Sequence, residues 1–192
     1  TFAVVDVETT GMRAAGDDRV TDIAVVLVQG GRTELVYDSL INPGCAISPQ
    51  ITALTGIDDA MVAGAPTFDM AADAILAALA GRIFVAHNVR FDWSFVDAEL
   101  RRNRGLALEG PRLCTVRLSR RLVRGLTSHS LDQVTAHFNL DNGARHRAAG
   151  DALVTAEILR RLLAMAAEMG ARTLEDLEAL RAGQKGSGAG GR

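Results

Sequence analysis

The sequence predicts an α/β fold, a mixed sheet of about five strands with helices packed on it. The first observation is the apolar run FAVVDVETTG at residues 2–11, which is typical of a strand buried on both faces. The second is a hairpin pattern directly after it. The third is that helical spacing of apolar residues alternates with short apolar strands from residue 66 onwards. Three strands followed by helix, strand, helix, strand and further helices favour this architecture.

The strands follow from local patterns. DIAVVLV at residues 22–28 and TELVYDSLI at 33–41 are separated by the turn signal QGGR, so they predict a two-stranded hairpin. RIFVA at 82–86 predicts a short buried strand, and RLCT at 112–115 predicts another. With the first strand these make five.

The helices follow from periodicity and from their end signals. Apolar residues recur at helical spacing before Gly81 and Gly105, which suit helix C-termini. Ser130 and Gln133 form an S-x-x-Q pattern that predicts a capping box. Short helical turns are expected between residues 41 and 62. The longer helices are predicted at residues 66–81, 88–105, 116–124, 130–138, 148–169 and 173–181.

Length and composition predict one folded domain over residues 1–181, followed by a flexible Gly-rich tail over residues 182–192. No apolar run of about 18 residues and no basic-then-apolar leader is visible, so we expect neither a membrane span nor a signal peptide. Cys45 and Cys114 lack the spacing of metal ligands. They indicate reduced thiols and a cytoplasmic protein.

The charge distribution is uneven. A net charge of −2 argues against a protein that binds nucleic acid by overall charge alone. Residues 101–124 nevertheless contain eight arginines and one acid, Glu109. Such a run is more often a solvated helix face than a phosphate-binding patch, and both interpretations stay open here.

Four acids lie where acids are costly. Asp6 and Glu8 come at the end of the first strand and point to the same side, where they repel each other unless a cation lies between them. Asp92 is crowded by apolar and aromatic neighbours at the start of a helix, and Asp151 starts another. Each acid alone is explained by solvent exposure or by a helix dipole. Together they fall where an α/β sheet assembles its sites.

Four convergent carboxylates without cysteine or paired histidines favour Mg²⁺ or Mn²⁺ over zinc. Two such ions about 4 Å apart suit phosphoryl displacement. His146 lies five positions before Asp151, which on one continuous helix would place the two side chains roughly 140° apart. We therefore expect His146 on the loop before the helix, as the base that deprotonates an attacking water.

Three segments carry a family resemblance. DVETTG, HNVRFD and HRAAGDA, in this order, resemble the three motifs of the DEDDh 3′→5′ exonucleases, a branch of the ribonuclease H-like superfamily. The connecting segments ITALTGI, PTF and HSLD are similar to those of the bacterial DNA polymerase III proofreading exonucleases, the epsilon subunit and its PolC-type counterpart. The resemblance covers about residues 2–169.

The resemblance implies a ribonuclease H-like sheet with helices on both faces. It also implies that Asp6, Glu8, Asp92 and Asp151 bind two Mg²⁺ or Mn²⁺ ions, with His146 as general base and Glu8 as a second catalytic residue. The substrate is expected to be the 3′ end of a nucleic acid, with single-stranded or frayed DNA preferred, and a DNA polymerase is a possible partner. The residues expected to contact the terminal nucleotide are Thr9, Thr10, Gly11, Met12, Asn88 and Phe91.

Two alternatives remain at this stage. An RNA-directed 3′→5′ exonuclease would have the same catalytic residues, and a non-catalytic binding module would be indicated by a missing acid or base. His87 is expected to be packed or hydrogen-bonded, and Trp93 is expected to belong to the core. The tail offers no apolar anchor after Gln184, so it does not support a link to a sliding clamp.

Overall fold

A five-stranded mixed sheet forms the centre of the computed structural model, which describes residues 1–141 and 146–180. The strand order is β3-β2-β1-β4-β5. The first three strands pair antiparallel, whereas β4 pairs parallel with β1 and β5 parallel with β4. The predicted mixed sheet is confirmed. The strands are β1 Phe2–Thr9, β2 Val20–Gln29, β3 Arg32–Leu40, β4 Ile83–Ala86 and β5 Arg112–Cys114.

The helices begin and end close to the predicted signals. Gly105 adopts a left-handed conformation, φ 64°, at the end of α4 and allows the chain to leave the helix. Ser130 caps α6 by accepting the Gln133 N–H at 3.4 Å. The helices are α1 Pro49–Thr55, α2 Asp59–Val62, α3 Phe68–Leu79, α4 Val89–Arg104, α5 Thr115–Leu122, α6 Leu131–His137, α7 Ala148–Glu168 and α8 Leu174–Ala179.

The predicted capping box at α6 is only half formed. The Ser130 backbone N–H donates to the hydroxyl of Ser128 at 3.2 Å, and the Gln133 side chain does not take that position. A serine two residues earlier provides a closer acceptor than a long glutamine side chain, so the second hydrogen bond of the box is not needed.

The two faces of β1 pack against different helices. Val4 belongs to the apolar cluster that contains α7 residues, whereas Val5 and Val7 belong to the cluster that contains α3 and α4 residues. Helices therefore cover both faces of the sheet, as predicted. Because alternate residues of a strand share a face, Asp6 and Glu8 lie on the α7 side with Val4.

The neighbouring strand β4 is much shorter than β1. It pairs with β1 only at Phe2–Val4, while β1 continues to Thr9. The second half of β1 is therefore open along one edge. This corrects one expectation: Asp6 lies inside β1, three residues before its end, and the early end of β4 creates the opening beside it.

The structure also bears on the predictions about membrane spans, the two cysteines and the C-terminal tail. No helix in residues 1–141 and 146–180 is long and apolar enough to cross a membrane. Cys45 is exposed and Cys114 is buried, and both are free thiols. The predicted tail at 182–192 lies outside the described residues, so the domain boundary after residue 181 stays a prediction.

Candidate active site

Four carboxylates meet beside the open half of β1. Asp6 and Glu8 are supplied by β1 itself. Asp92 lies in the first turn of α4, and Asp151 lies in the first turn of α7. Each helix N-terminus carries a partial positive charge, which favours a carboxylate at that position.

Asp92 provides β1 with a hydrogen-bond acceptor at a position where no neighbouring strand is present to provide one. The Val7 N–H donates to Asp92 Oδ1 at 3.2 Å, on the side of β1 where β4 has already ended. The side chain is buried, with 3% of the residue exposed. Burial raises the pKa of Asp92 to about 8; its backbone hydrogen bonds lower it, and the charge of Glu8 raises it further.

Asp6 interacts electrostatically with all three other acids. Burial raises the pKa of Asp6 well above its usual value, and the charges of Asp92, Asp151 and Glu8 raise it further. Ionising all four carboxylates at this short separation costs free energy, because each is partly removed from water and repelled by the others. The arrangement therefore fits bound cations, which remove both the desolvation cost and the mutual repulsion.

Three side chains come within reach of a single ion. One ligand atom each from Glu8, His146 and Asp151 lies within 4.8 Å of the other two. Asp6 and Asp92 lie beside this group and interact with it electrostatically. The structure thus brings together all five side chains that the sequence singled out.

His146 lies before α7, not on it. Its φ is 60°, a left-handed conformation, and its backbone N–H donates to Asp151 Oδ2 at 3.3 Å. The turn directs the imidazole back toward the acids. His146 thus lies on the loop before the helix, as its spacing from Asp151 predicts, because a helical His146 would point away from Asp151.

An ion pair between a partly exposed arginine and a buried carboxylate lies beside the site and was not predicted from the sequence. Arg147, the N-cap residue of α7, donates from Nε to Asp22 Oδ2 at 2.9 Å, and the Ala148 N–H donates to the same oxygen at 3.3 Å. Asp22 is fully buried on β2, directly opposite Glu8. An acid at the start of an otherwise apolar strand was the available signal.

A second ion pair with a buried carboxylate connects the start of β2 to α4. Arg19 donates to both carboxylate oxygens of Glu99, at 2.6 and 2.9 Å, and the Val20 N–H donates to Glu99 Oε1 at 3.3 Å. Glu99 is 1% exposed. A bidentate contact of this kind orients α4 against the sheet, and hence the turn that carries Asp92.

Four of the predicted substrate contacts lie at Thr9, the last residue of β1, and in the loop that follows, residues 10–19, which we call the β1 loop. The Thr9 hydroxyl donates to the Gly11 carbonyl oxygen at 2.6 Å, and the Thr10 hydroxyl accepts the Arg19 N–H at 2.9 Å. Both hydroxyls therefore shape the loop. Met12, in contrast, is 78% exposed at the edge of the site.

Gly11 is required by close packing. A Cβ atom at this position would lie 2.5 Å from the carboxylate of Asp18. That carboxylate accepts the Arg13 N–H at 2.8 Å, so it is itself part of the loop structure. A larger residue must displace Asp18 or move the loop.

The other two predicted contacts lie in the N-terminal turn of α4. Asn88 is exposed and left-handed, φ 79°, and precedes the first helical residue. Phe91 is half-buried, with its ring centroid 4.9 Å from that of Phe95. The structure thus places Asn88 at the surface of the site and Phe91 at the margin of the core.

His87 is a hydrogen-bonded histidine, as expected. Its Nδ1 lies 2.9 Å from the Thr115 hydroxyl, and its Nε2 lies 3.0 Å from the His129 carbonyl oxygen. These contacts tie the end of β4 to α5 and to the segment before α6. Its role is to connect elements around the site.

The sequence matches a known family over most of its length. The Exonuclease family model, RNase_T, matches residues 3–159. The chain belongs to this exonuclease family. Among the relatives of the exonuclease is the DNA polymerase III subunit epsilon of Aquifex aeolicus, 36% identical over 163 residues, which cover 85% of the chain and 80% of that protein. The DNA polymerase III PolC-type protein of Caldanaerobacter subterraneus is 34% identical over 179 residues, which cover 93% of the chain but 13% of that protein.

A solved structure supports the same relationship. Exonuclease X in complex with 5′ overhanging duplex DNA superimposes with a TM-score of 0.74 at 26% sequence identity, covering 94% of this chain and 99% of that one. The resemblance to the DEDDh exonucleases and the ribonuclease H-like fold are confirmed. So is the enzyme class, a 3′→5′ exonuclease.

Proposed function

We propose that this exonuclease removes nucleotides from the 3′ end of DNA in a metal-dependent reaction, releases 5′-mononucleotides and acts in proofreading or repair. The observation that carries the proposal is the convergence of Glu8, His146 and Asp151 within 4.8 Å, next to the two further buried or half-buried acids. DNA is favoured because relatives over 30% identical bear the names of DNA polymerase III components.

We assign two Mg²⁺ or Mn²⁺ ions to Asp6, Glu8, Asp92 and Asp151. These four side chains offer only oxygen ligands, which such ions prefer. Burial and neighbouring acids raise the pKa values of Asp6 and Asp92, so their ionised forms are costly without a counter-charge, which such ions supply. When bound, two such ions neutralise charge that develops on the reacting phosphate.

His146 is assigned as the general base. A neutral imidazole accepts a proton from the attacking water, and imidazole is the side chain that ordinarily exchanges protons near neutral pH. The carboxylate of Glu8 lies within reach of the ring and stabilises the imidazolium that forms. This is the catalytic role that we assign to Glu8.

The terminal nucleotide is assigned to the β1 loop and the start of α4. Met12 and Asn88 are exposed and can contact the sugar and base directly. Thr9, Thr10 and Gly11 determine the shape of the loop through their internal hydrogen bonds and close packing. Phe91 supports this surface from the core side.

The test is digestion of 3′-labelled single-stranded DNA with and without Mg²⁺ or Mn²⁺. We expect mononucleotides only with a metal ion, and at least about a thousandfold less product from Asp151→Asn. A single-stranded RNA of matched sequence, run side by side, tests the RNA-directed alternative. The proposal fails if the wild-type chain releases no mononucleotide with either ion, or if it degrades the RNA in preference to the DNA.

Association with a DNA polymerase is supported only by the names of the relatives, and a cytoplasmic location by the two free cysteines. Both stay predictions for this chain. A polymerase from the same cell that co-purifies with the chain would support the first.

A further inference from the structure

A basic cleft of about 940 Å³ lies next to the proposed active site. It is bordered by the start of α4, by β5 and α5, and by the segment that leads into α6. Among the described residues that line it there is no carboxylate. The cationic groups in its lining are Arg90, Arg112, Arg117 and Arg120, and two histidines, His87 and His129, also line it.

Part of the arginine run at residues 101–124 is neutralised within the fold. Arg101 pairs with Asp97 at 2.8 Å, and Arg102 pairs with buried Glu99 at 3.3 Å. Arg104 pairs with two acids of α3, and Arg121 donates to two carbonyl oxygens of α8. These arginines have structural roles away from the cleft.

The arginines of the cleft are different. Arg90, Arg117 and Arg120 are exposed, and none forms an ion pair with any residue in 1–141 or 146–180. Burial lowers the pKa of His129, and the charge of Arg120 lowers it further. Cations collected without a counter-ion create a field that attracts an anion.

One wall of the cleft also offers an aromatic surface. The guanidinium of Arg112 lies 4.8 Å from the centre of the Trp93 ring, and that ring packs edge-on against Phe84 at 5.2 Å. Trp93 is half-buried, so it belongs to the core only in part. Stacking surfaces next to arginines are typical of sites that bind single-stranded nucleic acid.

The start of α4 relates the cleft to the proposed catalytic site. Asn88 lines the cleft and also precedes the first residue of α4, the helix whose first turn carries Asp92. When the 3′ end of a nucleic-acid strand lies at the acids, the nucleotides that precede it can therefore reach the basic cleft. This placement also explains how a chain with a net charge of −2 binds a polyanion, because the positive charge is concentrated where the strand passes.

We propose that this cleft binds the phosphodiester groups of the substrate strand on the 5′ side of the nucleotide being removed. The proposal rests on the proposed exonuclease function. Arg117 and Arg120, three residues apart on α5, contact the phosphates, while Arg90 and Arg112 add positive charge to the lining of the cleft.

The test compares the double variant R117Q/R120Q with the control R32Q/R161Q. Both lose two exposed arginines, but Arg32 and Arg161 lie on β3 and α7, outside the cleft. Each protein is assayed with Mg²⁺ on a deoxydinucleotide and on a single strand of about 20 nucleotides. The dinucleotide has no phosphate upstream of the scissile one, so it cannot reach the cleft.

For R117Q/R120Q we expect the ratio of kcat/KM for the long strand to that for the dinucleotide to fall about tenfold. The slope of log(kcat/KM) against log salt concentration for the long strand should become shallower by about 1.4, because each lost single-strand contact contributes about 0.7. The control should match the wild type in both measurements.

The outcomes separate the two proposals. If the wild-type chain hydrolyses neither substrate with metal, the proposed function fails. If the wild type is active but R117Q/R120Q keeps the wild-type ratio and salt slope, the cleft does not bind the strand. If the ratio changes only when a complementary strand is annealed, the cleft binds that second strand and the assignment to the substrate strand is wrong.

Discussion

Arg147 Nε lies 2.9 Å from Asp22 Oδ2 and so connects the residue next to His146 to the strand that pairs with Glu8. Asp22 is fully buried, and the Ala148 N–H at the start of α7 donates to the same oxygen. The contact therefore sets where α7 begins, and with it the positions of His146 and Asp151. Neither residue of this pair belongs to the proposed ligand set.

The first prediction concerns this pair. Arg147→Ala leaves the buried Asp22 without its guanidinium partner, so we expect a loss of about 1–3 kcal/mol in unfolding free energy, discounted because Arg147 itself is partly exposed. We also expect kcat to fall more than KM rises, because His146 loses its support. Urea denaturation and steady-state kinetics measure the two effects. Arg161→Ala, an exposed arginine on α7, is the control, and equal kcat values for the two variants would contradict a positioning role.

The second prediction concerns the acids. Asp6→Ala should abolish turnover with little loss of stability, because one member of a repelling group is removed together with a metal ligand. Activity on labelled DNA, Mn²⁺ titration by calorimetry and thermal melting test the three parts of this expectation. Metal-dependent hydrolysis at the wild-type rate would show that Asp6 is not a ligand.

The third prediction concerns His146. His146→Ala should lower the rate by a factor of order 10²–10⁴ while metal binding is retained, as expected for loss of a general base. Because the ring also lies within reach of Glu8 and Asp151, Mn²⁺ affinity decides its role. A variant that loses metal affinity instead would make His146 a ligand.

The fourth prediction concerns pH and the metal-free protein. In the folded chain the pKa of Asp92 is raised to about 8, and that of Asp6 is also raised. Between their ordinary values near pH 4 and about pH 8 the folded state binds more protons than the unfolded state, so stability falls as pH rises. We expect the Tm in EDTA to fall from pH 5 to pH 8. Added Mg²⁺ should raise the Tm more at pH 8 than at pH 5.

Two variants of α4 test the origin of this pH dependence. Asp92→Asn cannot ionise, so the decline in Tm should be smaller. Asp97→Asn should keep the wild-type decline, because Asp97 is paired with Arg101 and its pKa is lowered, not raised. A decline of the same size in both variants would assign the effect to other groups.

The fifth prediction concerns the β1 loop. Gly11→Ala places a methyl group 2.5 Å from the Asp18 carboxylate, so either that carboxylate is displaced and its hydrogen bond to the Arg13 N–H is lost, or the loop moves. We expect KM for DNA to rise, with a smaller effect on unfolding free energy. Gly64→Ala, which meets no atom within 4 Å, is the matched control. If the clash is the cause, Gly11→Ala combined with Asp18→Ala should recover part of the lost affinity; no recovery would rule out this explanation.

Most of the fold could be predicted from the chain because its signals are local. Alternating apolar strands, the turn at QGGR and the glycines after α3 and α4 act over a few residues, and the structure has elements close to each predicted range. The five proposed catalytic side chains could also be identified, because their motifs lie within short segments. The left-handed turn at His146 agrees with the five-residue spacing between His146 and Asp151, which is also a local signal.

The features that were missed depend on contacts between distant segments. Arg147 and Asp22 are 125 residues apart, and Arg19 and Glu99 are 80 residues apart, so no local pattern relates them. The division of the arginine run is similar, since acids on α3 and α4 and carbonyl oxygens of α8 bind some members, whereas those of the cleft form no ion pair within residues 1–141 and 146–180. The sequence by itself determined the elements and the chemically capable residues. Only the tertiary structure decided which charges meet a partner, because electrostatic interactions depend on distance in space and not on separation along the chain.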